Sequence, residues 1–234
     1  MKKIIAIGSL TLALVLGGSW LLNRPAQSTD FALPGAAQAQ DATATEAPAA
    51  AEVVIDTSTI QDMIQGSADA PVEIIEYGSF TCPHCAAFHG DQYQQIKTNY
   101  IDTGKVRFIF REVYFDRFGL WASMIARCGG ELRFFGISDL LYSTQQDWVA
   151  GGDPALIAQN LRKIGLTAGL DTAMLDTCLN DETMAQTLVA WYTENSTRDG
   201  VEGTPTFFVN GTKYSNMPYA DFAAVLDAEL AKAQ

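Results

Sequence analysis

The sequence predicts an α/β domain interrupted by a long helical block. Three observations carry that prediction. Two apolar runs of buried-strand type, 72–80 and 106–115, flank a helical pattern over 83–100. The signal is then helical from about 115 to 198. Strand character returns at 206–214, around an Asn210-Gly211 turn, and an amphipathic helix follows.

The N-terminal elements set the compartment. Lys2 and Lys3 precede 19 uncharged residues, 4–22. As a helix these would span about 28 Å, close to the thickness of a bilayer's hydrocarbon core. The two lysines favour a cytoplasmic N-terminus and export of the rest. Two fates fit: an uncleaved anchor, or a signal peptide cut after Ala39 in Ala37-Gln38-Ala39. Residues 23–52 hold eleven alanines and three prolines without apolar periodicity, so they read as a linker. Either fate puts the folded part, from about Val53, where disulfides persist.

In the body, Ala70-Pro71 introduces the first strand, VEIIEYGSF. Tyr93, Ile96 and Tyr100 fall at helical spacing in the following helix. VRFIFREVYF, 106–115, is rich in β-branched and aromatic residues. Within the helical block, Trp121, Met124, Ile125 and Cys128 form one stripe. Asp153-Pro154 reads as an N-cap with proline at the first helical position, ahead of Leu156, Ile157, Leu161 and Ile164. Met174, Leu175, Cys178 and Leu179 make another stripe, as do Ala185, Leu188, Val189 and Tyr192. The last helix presents Phe222, Val225, Leu226 and Leu230.

Composition narrows the function. Fifteen basic against 27 acidic side chains leave a net charge of -12, with 48% apolar residues. A folded acidic domain is implied. Nucleic acid is disfavoured as a partner, because no basic stripe is available to neutralise phosphates.

The chemistry concentrates at Cys82-Pro83-His84-Cys85, which opens a helix directly after a strand. A helix N-terminus offers unpaired N–H groups and the positive end of the dipole, so a thiol there ionises readily. Pro83 takes the first turn without loss of a hydrogen bond. Cys85, three residues on, can close a disulfide with Cys82. His84 can add charge or a hydrogen bond. A stabilised thiolate favours the dithiol and makes the disulfide a stronger oxidant. Other readings are weaker. Cys82, His84, Cys85 and His89 are possible zinc or copper ligands, but they crowd one helix start, and no second CxxC exists. Haem attachment fails because position 86 is Ala. His89 reads as a solvated helix residue without a role.

Glu76-Tyr77-Gly78-Ser79-Phe80-Thr81-Cys82-Pro83-His84-Cys85, together with Gly203-Thr204-Pro205-Thr206-Phe207-Phe208-Val209-Asn210-Gly211, resembles the DsbA family of bacterial thiol–disulfide oxidoreductases. The resemblance spans roughly residues 60–232. It implies a thioredoxin fold interrupted by an inserted all-helical domain. The parts would be a thioredoxin-like first half over 53–114, the helical insert over 115–192 and a second thioredoxin-like half over 193–234. It gives Cys82 the nucleophile's place, Cys85 that of the buried resolving cysteine, and Pro83-His84 the dipeptide that sets redox poise. Thr204-Pro205 matches the cis-proline loop that pairs with bound peptide. Glu76 matches a buried acid that exchanges a proton with Cys85. One departure stands out. Where some relatives carry a lysine near that acid, this chain has Phe110, with Arg111 and Glu112 beside it.

Cys128 and Cys178 lie on apolar stripes of the insert. They fit either two buried thiols or a structural disulfide. The exported location favours the disulfide, and some DsbA-like proteins have such a bond.

The resemblance implies a monomeric periplasmic dithiol oxidase without an organic cofactor. Its clients would be reduced, unfolded exported proteins, and a DsbB-like membrane quinone reductase would reoxidise it. A reductase or isomerase of the same fold is the nearest alternative. A metal-binding or chaperone-like module is the alternative from another class.

Overall fold

A computed structural model describes residues 55–233. The apolar segment 4–22, with its readings as anchor or cleaved leader, and the linker 23–52 lie outside the described residues. Among the described residues no helix is long and apolar enough to cross a membrane.

The centre is a mixed five-stranded sheet of β1 (Met63–Gln65), β2 (Val72–Gly78), β3 (Val106–Glu112), β4 (Thr206–Val209) and β5 (Thr212–Ser215). The spatial order is β1-β3-β2-β4-β5. β2 and β3 are parallel, and the other pairs are antiparallel. The middle place of β2 explains why most of its residues are buried, Glu76 among them, since a central strand is covered on both faces. β1 escapes the sequence reading because three residues carry no usable period. Asn210 and Gly211 join β4 to β5 with φ of +45° and +80°, the pair of positive values that a tight two-residue hairpin requires.

Two helices follow β2 where the sequence suggests one. α1 (Pro83–Gly90) ends at Asp91, whose φ of -133° leaves the helical region. The poor helix former Gly90 precedes the break. α2 (Gln92–Ile96) then runs into a π-helical turn, Lys97–Ile101. The break does not disturb the core face: Tyr93, Ile96 and Tyr100 are all buried.

Between β3 and β4 lie six helices: α3 (Arg117–Cys128), α4 (Glu131–Ser143), α5 (Gln145–Trp148), α6 (Pro154–Thr167), α7 (Thr172–Leu179) and α8 (Glu182–Arg198). Asp116, Asp153, Asp171 and Asp181 cap α3, α6, α7 and α8, each accepting hydrogen bonds from backbone N–H groups of the first turn. Such caps contribute about 1 kcal/mol each. Part of the acid excess therefore serves to start helices. Ala122, Ile125 and Ala126 of α3 pack with Ile157 and Leu161 of α6 and Leu175 of α7. The approach at Gly165 is close, because a Cβ there would meet Leu175 Cδ2 at 2.6 Å.

The stripes read from sequence are too broad. Leu156, Met174 and Val189 are exposed. Each helix seals along a narrower line, and on α8 that line runs through Leu188 and Trp191. α9 (Tyr219–Lys232) returns to the sheet and sets Phe222 against Phe88 and Phe207, with ring centroids 5.8 and 4.8 Å away.

Cys128 at the end of α3 is bonded to Cys178 on α7, with Cα atoms 5.9 Å apart and a sequence separation of 50. Closing a loop of that length restricts the unfolded chain by about 4 kcal/mol on the chain-entropy argument. Replacing both cysteines by serine is expected to lower unfolding free energy by up to that amount in urea titration. An unchanged midpoint would show that packing alone holds α7 to α3.

Candidate active site

β2 ends at Gly78, and the chain turns through Ser79–Thr81 to place Cys82 at the N-cap of α1. The Cys82 N–H donates to the Ser79 carbonyl at 3.0 Å, and the Cys82 carbonyl accepts from Ala86 N at 3.1 Å. Pro83 occupies the first helical turn.

The insert holds this turn from the far side. The side-chain amide of buried Gln145, on α5, donates to the Phe80 carbonyl at 2.8 Å and the Cys82 carbonyl at 3.0 Å. Thr81 Oγ1 donates to Asp116 Oδ2 at 2.8 Å, and the same aspartate caps α3. Sequence reasoning missed Gln145. No local pattern marks it, because its role arises only when the insert folds back on the loop.

Cys82 and Cys85 are free thiols, and the structure is the dithiol form. Cys82 is 8% exposed, and its Sγ lies 3.5 Å from the Thr204 carbonyl. The Thr204-Pro205 peptide is cis. The Cys82 thiol is pulled down to about 5 from an ordinary value of 9.0. The hydrogen bond from the Cys85 side chain is the largest cause. Thr204 and the backbone N–H groups of Cys85 and His84 lower it further, against the opposing effect of burial. The Thr204 hydroxyl is buried without a partner in the dithiol, so it is free to donate to the thiolate. His84 itself is exposed, and its part here is the backbone N–H. Cys85 is wholly buried, and its thiol is pushed far up, by burial first, then by Cys82 and by the negative charge of Glu76. The two thiols thus differ sharply: one ionises in weak acid, and the other stays neutral.

Glu76, 0% exposed, lies on β2 opposite Phe110 of β3 and Phe207 of β4. Arg111 and Glu112 do not serve it. Arg111 forms a two-pronged pair with Asp62 at 2.8 Å and reaches the Tyr77 hydroxyl and Asp199. Glu112 pairs with Arg127 at 2.6 and 2.7 Å. The partner of Glu76 is His89, whose Nε2 meets Oε2 at 2.9 Å. This corrects the reading of His89 as a solvated residue: it is 4% exposed, stacked on Tyr142 with ring centroids 4.2 Å apart. The sequence does contain a signal for it, since His89 stands four residues after Cys85 and so shares the buried face of α1. Among the described residues no group of three His, Cys, Asp or Glu side chains is arranged to hold a metal ion.

Two outcomes are expected. In the dithiol, thiolate absorbance at 240 nm should titrate with a midpoint near 5, and Cys85→Ala should move that midpoint upward by removing the largest stabilising contact. Because the folded thiol is depressed, its contribution to stability is full above pH 9 and lost as pH falls toward 5. Stability of the dithiol should therefore rise across that window, and Cys82→Ser should flatten the rise. Separately, Gln145→Leu leaves the Phe80 carbonyl unsatisfied and the Cys82 carbonyl with only its bond from Ala86 N, and should cost about 1–3 kcal/mol in denaturant titration; no loss would mean that water replaces the amide.

Comparison with known proteins agrees with this geometry. The family model described as Thioredoxin matches residues 58–228. A Rickettsia bellii relative named "Putative protein-disulfide oxidoreductase" is 32% identical over 167 residues, 71% of this chain and 63% of that one, so the chain spans under two thirds of that relative. Disulfide bond formation protein D of Bacillus subtilis is 28% identical over 71% of this chain and 76% of its own. The crystal structure of Wolbachia pipientis alpha-DsbA1 superimposes with a TM-score of 0.68 and 28% identity, covering 74% of this chain and 92% of that one. The chain belongs to the thioredoxin family, among its DsbA-like members, in which the thioredoxin fold carries an inserted helical domain.

Proposed function

We propose that this protein is a thiol–disulfide oxidoreductase that introduces disulfides into exported proteins through Cys82 and Cys85. The observation that carries the reading is the asymmetry of the two thiols. A Cys82 sulfur that is stable as thiolate is a good leaving group, and the protein gains by becoming reduced. A client thiolate attacks Cys82 of the oxidised protein, a mixed disulfide forms, and Cys85 departs and takes a proton. A second client thiolate then attacks the client sulfur of the mixed disulfide, and Cys82 leaves as thiolate. Two electrons pass from the client dithiol to the protein, and a DsbB-like quinone reductase of the membrane removes them.

On this reading Thr204-Pro205 carries the backbone edge that the client pairs with. Pro83, His84 and Glu76 tune the site. The thioredoxin-like parts, 53–114 and 193–234, hold the chemistry, and the insert, 115–192, braces it. Work in the periplasm, with residues 4–22 as leader or tether, fits the Lys2-Lys3 start and the Cys128–Cys178 bond.

The test is the reduction potential of the Cys82–Cys85 pair in glutathione buffers. A value near about -120 mV, that of DsbA, is expected, whereas one near about -270 mV, that of thioredoxin, would make the protein a reductase.

A further inference from the structure

Glu76 and His89 form a buried couple whose hydrogen bonding is half complete. Glu76 Oε2 and His89 Nε2 are 2.9 Å apart, but Glu76 Oε1 and His89 Nδ1 are buried without partners. A carboxyl and an imidazole kept only for packing would be costly in this state, since buried polar atoms normally find partners. The groups around His89 come from several elements. Tyr142 stacks on one face from α4, Tyr93 lies 4.5 Å away on α2, and Phe110 approaches edge-on from β3. Half-buried Asp139 on α4 is a further ionisable neighbour, its carboxyl pushed up by burial, with His89 and Lys97 opposing. The hydroxyl of Tyr142 is also unpartnered.

On one side of the couple lies Cys85, one helical turn before His89 on the same face of α1, close enough to Glu76 to feel its charge. On the other side His89 lines a cavity of about 300 Å³ with Gln94, Gly136, Asp139, Tyr142 and Ser143. Gly136 and Ser143 are exposed, so this cavity reaches the surface. The couple therefore stands between a buried thiol that must gain and lose a proton and a pocket that water can enter.

We infer that His89 is the positioning residue for Glu76 and the outlet for its proton, in the order Cys85, Glu76, His89, cavity. The inference rests on the thiol–disulfide reading of the site. When Cys85 is activated, its Sγ–H proton passes to the Glu76 carboxylate. Glu76 passes a proton to Nε2 of the imidazole that carries hydrogen at Nδ1, and the Nδ1 proton leaves to water in the cavity. One proton has then moved from Cys85 to solvent, and neither Glu76 nor His89 has changed charge. When Cys85 departs from a disulfide the route runs backward. In this chain, with Phe110 opposite Glu76 on β3, the basic partner of the acid comes from α1.

The reduced protein reacting with glutathione disulfide tests this with an internal control. Cys82 thiolate first forms a mixed disulfide with glutathione, which requires no proton from Cys85. Cys85 then resolves it, which does. His89→Gln keeps a donor for Glu76 but cannot take up one proton and release another. In acid-quenched kinetics this variant is expected to form the mixed disulfide within twofold of the wild-type rate. It should resolve the mixed disulfide at least tenfold more slowly, within the range assigned to general acid–base catalysis. His89→Ala should show the same accumulation and regain resolution as imidazole is added to fill the vacated space. Resolution at the wild-type rate in His89→Gln would overturn the inference, as would equal slowing of both steps. A failure of the oxidase reading would look different: the wild-type oxidised protein would leave a two-cysteine peptide reduced, whatever the glutathione kinetics of His89→Gln.

Discussion

The amide of Gln145 holds the carbonyls of Phe80 and Cys82, and the placement of the reactive sulfur depends on that grip. The end of β2 and the start of α1 supply the turn, but a turn of that kind has a free side. The insert closes it. With the carbonyls tied down, the N–H groups of His84 and Cys85 are aimed toward the Cys82 sulfur, where they favour the anion. The insert thus braces the turn that carries the reactive sulfur as well as covering the sheet.

Much of the fold was legible where a signal is local. The central strands announced themselves because β2 and β3 bury most of their residues and are rich in β-branched and aromatic side chains. The Asn210-Gly211 turn did so because both residues must adopt positive φ, and Asp153-Pro154 because a cap and a preset φ coincide. The Cys82–Cys85 pair was legible for the same reason: its meaning follows from standing at a strand-to-helix junction. What escaped was fixed at a distance. The three-residue β1 is a strand only because β3 is beside it. Gln145 carries no mark in its own neighbourhood. His89 looked solvated because its neighbours Gly90 and Asp91 are polar or small. It is buried because α4 brings Tyr142 onto its ring, and its spacing from Cys85 was the one clue.

Charge is handled differently at three depths. At the surface the acid excess caps helices and costs little. One layer in, Arg111 gathers Asp62, Tyr77 and Asp199 into a network that ties the chain before β1 to the sheet and to the end of α8. Glu112 and Arg127 are deeper, and Ser123 completes their bonding by donating to Glu112 at 2.9 Å. Among the buried ionisable pairs of the described residues, Glu76 and His89 keep open valences, beside the unpartnered hydroxyl of Tyr142.

Cys82 and Thr204, which meet across the site, are separated by 122 residues of chain. During synthesis the dithiol leaves the ribosome long before the segment that walls it, and the whole insert emerges in between. Contacts of such long range form late. A chain truncated before Thr204 would carry Cys82 and Cys85 without the carbonyl and hydroxyl of that residue beside them. Its sulfur would be less acidic and uncovered, open to any passing thiol reagent. The order of elements along the chain therefore delays selective thiol chemistry until the segment from Thr204 onward has joined the sheet.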